Sequence, residues 1–296
     1  MIVNNASLNA LRTGFKANFQ KAFAAQTPLW NKIATLVPSE TSEETYAWLG
    51  DLPGFREWIG DRVINALAEN GYVIKNKDFE LTIGVPRNVI EDDRYGIFGL
   101  RFAMMGEAAA MFPDSLVFKA LKNGFTNLCY DEKPFFSTEH PVGKKGKASN
   151  LGTAKLTPES YGTARSGMMS LKNDAGDPLN IKPNVLVVPP ALETQALKIT
   201  KADLIDNSTN IYKDTAEVLM VPELAGKDNA WFLLDTNRVL KPFIYQQRKK
   251  PEFTEQTDPN SDSVFNNNEF RYGCDARGNA GYTLWQLAYG SDGTGA

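Results

Sequence analysis

The chain has 296 residues, 42% of them hydrophobic and 23% charged, with a formal net charge of −3. That length holds one large domain or two modest ones, and the composition excludes a disordered chain. The near-neutral charge excludes a protein whose whole surface binds a polyanion, although a local basic face remains open. Two cysteines, Cys129 and Cys274, do not make a disulfide framework and fit a reducing, intracellular setting. The start, Met1 to Ala6, has neither a basic n-region nor a long apolar run, so no signal peptide is expected. No stretch approaches the ~20 apolar residues of a membrane-spanning helix, so a soluble protein is expected.

Ser7 has the chemistry of a helix N-cap. Leu8, Leu11, Phe15, Phe19 and Phe23 follow at three- and four-residue spacing, and Pro28 ends the helix. This stripe docks on its own domain in the plainer reading; in the sharper one it is an arm across a partner subunit. A short strand is expected at Ile33 to Val37. From Tyr46 to Gly96 large apolar groups alternate with charges and turns. Trp48, Leu52, Phe55, Trp58 and Ile59 need burial, yet no local core is there to provide it. Aromatic surface of that kind belongs to an arm that packs on a neighbour. Tyr72 to Ile74, a polar turn at Lys75 to Asp78, and Phe79, Leu81, Ile83 and Val85 at period two predict a hairpin.

The period turns helical from Asp92. Ile97, Leu100, Phe102, Met104, Met105, Ala108 and Met111 predict a well-buried helix that Pro113 interrupts, Asp114 or Ser115 restarts, and Gly124 stops. Residues 130–156 read as loop. Thr157-Pro158 starts a helix running to about Asn173. Asn184 to Val188 is a buried-type strand, turned by Pro189-Pro190 into a helix over Ala191 to Ile199. Further strands are predicted at Val218 to Val221, Ala230 to Leu234 and Val239 to Tyr245. A polar flexible segment covers 254–263, and two strands flank Asp275 to Asn279. Helices and strands mix without a βαβ rhythm, so the fold class is α+β.

The chemical inventory is short. The single histidine, His140, cannot supply a two-histidine zinc site, and two cysteines make a structural zinc site a poor fit. No metal and no cofactor are expected. Phosphate-loop, dinucleotide and nucleophile-elbow motifs are absent from the sequence. Cys129 with His140 is the one candidate nucleophile pair, set against a buried thiol and a loop histidine. Glu91-Asp92-Asp93-Arg94 is read as a group that offsets the dipole of the following helix rather than as a catalytic carboxylate pair. Arg248, Lys249 and Lys250 are candidate charged contacts, read as a solvated run, then a subunit contact, then a nucleic-acid contact.

The run Trp48-Leu49-Gly50-Asp51-Leu52-Pro53-Gly54-Phe55-Arg56-Glu57-Trp58-Ile59-Gly60-Asp61-Arg62 resembles the major head protein family of Mu-like bacteriophages and prophages. So do Glu91 to Gly96, Lys133 to Pro141, Tyr272 to Tyr282 and Trp285 to Gly290, in the same order along the chain. The resemblance implies a Hong Kong 97-type capsid fold and no active site. It places an N-terminal arm at 1–40, an extended E-loop region at 41–91, and a peripheral domain with a long spine helix at 92–183. The axial domain falls at 184–240 and return strands at 241–296. It implies self-assembly into pentamers and hexamers of an icosahedral head around double-stranded DNA. The other implied partners are a scaffolding protein, a portal and decoration proteins, with only nonspecific DNA contact. Candidate inter-subunit contacts are Phe15, Phe19, Trp48, Phe55, Trp58, Tyr72 and Phe79. Lys75 and Lys77 invite comparison with relatives that weld the E-loop by an isopeptide bond, but a polar turn accounts for both. A same-fold nanocompartment shell and a cysteine hydrolase are the alternatives.

Overall fold

The computed structural model describes residues 5–49, 71–92, 95–143, 146–173, 176–205, 207–258 and 261–295. Helix α1 (Asn5–Ala25) leads through a single-turn helix α2 (Trp30–Ile33) into strand β1 (Ala34–Pro38). Strand β2 (Glu43–Tyr46) pairs antiparallel with β3 (Tyr72–Lys75), and β4 (Lys77–Pro86) follows almost without a break. The predicted hairpin between Tyr72 and Val85 is therefore not formed. Residues 75–78 are extended rather than turned, because their polar groups have partners on other segments. Asn76 Nδ2 donates to Ser39 Oγ (2.8 Å) and to the Thr41 carbonyl. Gln246 Nε2 donates to Asn76 Oδ1 (2.8 Å) and to the Ile74 carbonyl.

After the short helix α3 (Arg87–Glu91), helix α4 runs unbroken from Phe98 to Lys122 with Pro113 inside it. Glu91 thus closes α3, paired with Arg87 at 2.9 Å, and does not offset the dipole of the long helix. Pro113 removes one backbone donor at a cost of about 3 kcal/mol. Burial of Phe102, Met105, Val117, Phe118 and Leu121 along the same helix outweighs that loss. Asp114 does not restart the helix. It is buried, and its carboxylate accepts from the backbone N–H of Trp30 (2.7 Å) and of Leu29 (3.0 Å), fastening α2 to α4.

Small strands β5 (His140–Val142), β6 (Gly146–Ala148) and β7 (Leu151–Gly152) lie in what the sequence reads as loop. Helix α5 (Pro158–Met169) starts as expected, with a capping box between Thr157 and Ser160. Strand β8 (Val185–Val188) is buried throughout and passes by a 3-10 turn into α6 (Glu193–Lys201). There follow the two-residue strands β9 (Leu204–Ile205) and β10 (Ser208–Thr209), then β11 (Glu217–Met220) and β12 (Trp231–Leu234). Two long strands, β13 (Phe243–Gln256) and β14 (Glu269–Tyr282), flank helix α7 (Asp262–Asn267), and β15 (Ala288–Ser291) ends the sequence of elements. The expected turn at Asp275 to Asn279 is continuous strand. Both edges of that stretch are occupied, Arg277 facing Asp78 on one side and Lys249 on the other.

Two sheets carry the fold. One is ordered β1-β13-β14-β4, the other β11-β8-β12-β15-β7. Phe135, Phe136, Phe243, Phe232 and Tyr282 fill the core that joins them, with Phe135 stacked on Tyr282 at 4.6 Å. A second core lies under α1 and α4, where Phe15 stacks on Phe102 at 4.2 Å and Tyr272 meets both edge-on. The helices approach so closely there that a Cβ at Gly106 would stand 2.3 Å from the Phe19 carbonyl oxygen. No helix of the described residues is long and apolar enough to cross a membrane.

Candidate functional site

The arm anticipated between Thr41 and Ile90 has a well-built base. Glu44 gathers the Ser39 hydroxyl (2.8 Å) and the backbone N–H groups of Glu40 and Thr41. These bonds, led by that from Ser39, hold its carboxyl down to about 2. Above them Tyr46 donates its hydroxyl to Gln246 Oε1 at 2.8 Å, fixing β2 to the four-stranded sheet. Trp48, 44% exposed, leans edge-on against Tyr46. Phe55 and Trp58 lie outside the described residues.

The other anticipated contact residues have partners within their own chain. Phe15 and Phe19 are buried against α4 and β14, which the plainer reading of that helix allowed. Tyr72 is half-buried beside Tyr282, whose N–H points at the Tyr72 hydroxyl (3.4 Å), and Phe79 packs on Phe112 at 4.7 Å. Lys75 lies within 3.7 Å of a Glu43 carboxylate oxygen across β2–β3. Lys249 is neutralised by Asp275 at 2.6 Å, whereas Arg248 and Lys250 are exposed. The basic run sits mid-strand in β13, so Arg248 and Lys250 share the exposed face and Lys249 points to the other.

One surface was misread from sequence. Ile97, Leu100 and Met104 were expected in a buried helix, yet they are 72%, 70% and 59% exposed. Spaced three and four apart, they make an apolar ridge over the first turns of α4. Phe98, Phe102 and Met105 on the other side of the same helix are buried. Periodicity does not mark these three, because it counts apolar positions without saying which side of the helix a neighbouring element covers.

The Cys129–His140 pair does not form a nucleophile and base, because Asp131 stands between them. The thiol donates to Asp131 Oδ1 at 3.0 Å, while His140 Nδ1 lies 2.6 Å from Oδ2. Burial pushes the Cys129 thiol well above its ordinary value, and the neighbouring Asp131 pushes it further. A thiol so held stays protonated and unreactive. Iodoacetamide at neutral pH is expected to leave Cys129 unmodified in the folded chain, as read by mass spectrometry; rapid alkylation would revive the dyad. His140 is fully buried in β5, not on a loop surface, with its ring stacked on Trp285 at 4.2 Å.

Comparison with known proteins gives the family. The family model for the Mu-like prophage major head subunit gpT matches residues 8–155, 152–224 and 223–294. The major capsid protein of Escherichia phage Mu is 35% identical over 288 residues, 97% of this chain and 74% of that protein. The chain belongs to the Mu-like major head subunit family. The Mu-like prophage FluMu major head subunit of Haemophilus influenzae is also 35% identical, over 95% of this head subunit and 72% of its relative. A chain in the procapsid of bacteriophage JBD30 superposes with a TM-score of 0.65 at 36% identity, covering 98% of this chain and 76% of that one. The α+β capsid fold of phage heads is therefore the fold of this subunit, and the cysteine hydrolase reading is set aside.

Proposed function

We propose that this head subunit is the major capsid protein of a Mu-like phage or prophage, building the shell of the head from copies of itself. The observation that carries the reading is likeness over nearly the whole chain to a procapsid protein, at 36% identity. The exposed ridge on α4 supports it, since a monomer gains nothing from keeping Ile97, Leu100 and Met104 in water.

In this reading residues 1–40 form the N-terminal arm and 41–91 the E-loop, which carries Trp48, Phe55 and Trp58 to a neighbour. Residues 92–183 form the peripheral domain with α4 as spine, 184–240 the axial domain, and 241–296 the return strands. Pentamers and hexamers close an icosahedral head because the same unlike-face contact repeats around rotation axes. Each contact is modest, but every subunit makes several, so the shell is held by their product. A scaffolding protein, a portal and decoration proteins are the remaining partners, and assembly takes place in the bacterial host cytoplasm. Packaged double-stranded DNA meets the shell without sequence preference, and the contact is weak and salt-sensitive, as the net charge of −3 suggests. The phage relatives favour a head over a nanocompartment.

Negative-stain electron microscopy of the purified chain, alone and with a candidate scaffolding protein, tests the proposal. Capsomers or shells are expected. A strict monomer under both conditions would overturn it.

A further inference from the structure

Asn150 decides the proton positions around His140. Its Nδ2 faces three carbonyl oxygens, those of Phe135 (2.8 Å), Ala288 (3.1 Å) and Trp285 (3.2 Å), so this atom is the donor end of the amide. Its Oδ1 accepts from the Ser137 N–H (2.9 Å) and faces His140 Nε2 at 3.0 Å. An oxygen there accepts only, so Nε2 carries hydrogen. The other ring nitrogen meets Asp131 Oδ2 at 2.6 Å, and Asp131 Oδ1 already accepts from Cys129 Sγ–H and the Lys133 N–H. A proton must lie between Nδ1 and Oδ2, or two lone pairs would face each other at that distance. Asp131, held below the ordinary carboxylate range by the hydrogen bonds it accepts, keeps its charge at neutral pH, so the shared proton lies on the imidazole side.

We propose that His140 and Asp131 form a buried imidazolium–carboxylate latch. It pins the segment 129–140 against the Trp285–Ala288 turn and opens in acid. The segment it holds carries Phe135 and Phe136 into the core between the two sheets. Through Asn150 the latch also binds β7, on the edge of the five-stranded sheet, to that turn.

The acid response follows from Asp131. Burial pushes its carboxyl up, but hydrogen bonds from His140 and Cys129 outweigh burial and hold it below the ordinary carboxylate range. A group depressed on folding contributes stability that is present above its unfolded value, near 4, and is lost as pH falls through the lower folded value. Once Asp131 takes a proton, the imidazolium is left buried without a counter-charge. Few other charges face the pair. Cys129 stays a neutral thiol, Tyr72 and Tyr282 lie near it as neutral phenols, and Tyr130 turns its hydroxyl to Gln286. Glu139 and Lys147 pair at the exposed end of the loop, and half-buried Lys133, whose backbone N–H donates to Asp131, lies near enough to act on Glu139.

The chain has one histidine, so its ring nitrogens give a single set of signals. Magic-angle-spinning NMR of the full chain labelled with 15N-histidine is expected to show hydrogen on both ring nitrogens at pH 7.5. In Asp131→Asn the new side-chain N–H donates to Nδ1, and only Nε2 should then carry hydrogen. The variant is expected to melt roughly 5 °C below the parent at pH 7.5. That gap should close as pH falls below about 4, where the parent loses the same charge. One bare ring nitrogen in the parent would overturn the latch, whether or not the variant folds. So would a melting gap independent of pH, or zinc ions binding at Cys129, Asp131 and His140 with release of their protons.

Discussion

Replacing Leu100 and Met104 together with glutamate leaves a folded subunit that builds no shells. Both side chains already lie mostly in water in the single chain, so the substitutions remove no buried contact. Exposed positions of this kind change stability by about 0.5 kcal/mol or less. In the shell the balance reverses. Apolar area buried there contributes about 25 cal/mol per Å², and two carboxylates in its place must be desolvated with no partner supplied. The penalty recurs at every copy of the contact, so a change small for one pair of subunits abolishes closure of the whole. Thermal melting of the unassembled chain should match the parent, while electron microscopy should show neither capsomers nor shells. Shells at parental yield would show that the ridge faces solvent in the head as well.

The second large effect lies on the opposite face of the same helix. Phe102→Ala is expected to destabilise the subunit by about 3–5 kcal/mol, as for other buried aromatics truncated in a close-packed interior. Phe102 has no exposed surface and touches the rings of Phe15, Phe253 and Tyr272. The cavity cannot collapse easily, because α1 and α4 are already in backbone contact at Gly106. Urea denaturation of the unassembled chain should show a lower midpoint with an unchanged slope. An unchanged midpoint would mean that α1 is not docked on its own subunit in solution. The two variants together separate folding from assembly within one helix.

Much of the architecture was legible in one dimension. The Ser7 stripe, the Thr157 cap, the run Val185 to Val188 and the proline turn after it are local signals, and each formed within a few residues of its expected place. Errors came where a residue satisfied its polar groups at long range. Asn76 and its neighbours have the composition of a turn, yet Ser39, Thr41 and Gln246 keep them extended. Asp275 to Asn279 have it too, but two flanking strands hold them flat. Asp114 looked like a helix start because its partners, Leu29 and Trp30, lie more than eighty positions away in sequence.

The assembly reading followed the same division. Family motifs and the excess of apolar residues over any local core point to a shell subunit from the sequence alone. Which apolar residues remain outside was not legible, because periodicity counts apolar positions without saying which side a neighbouring element covers. Packing of α1 and β14 decided that Phe15, Phe19 and Phe102 stay inside and that Ile97, Leu100 and Met104 do not. The sequence by itself determined the element types, the α+β class and the family, since these rest on local propensity and on motif order. Only the tertiary structure decided the strand pairings, the carbonyl partners of Asn150 beside His140 and the exposed ridge, because each depends on residues brought together from distant parts of the chain.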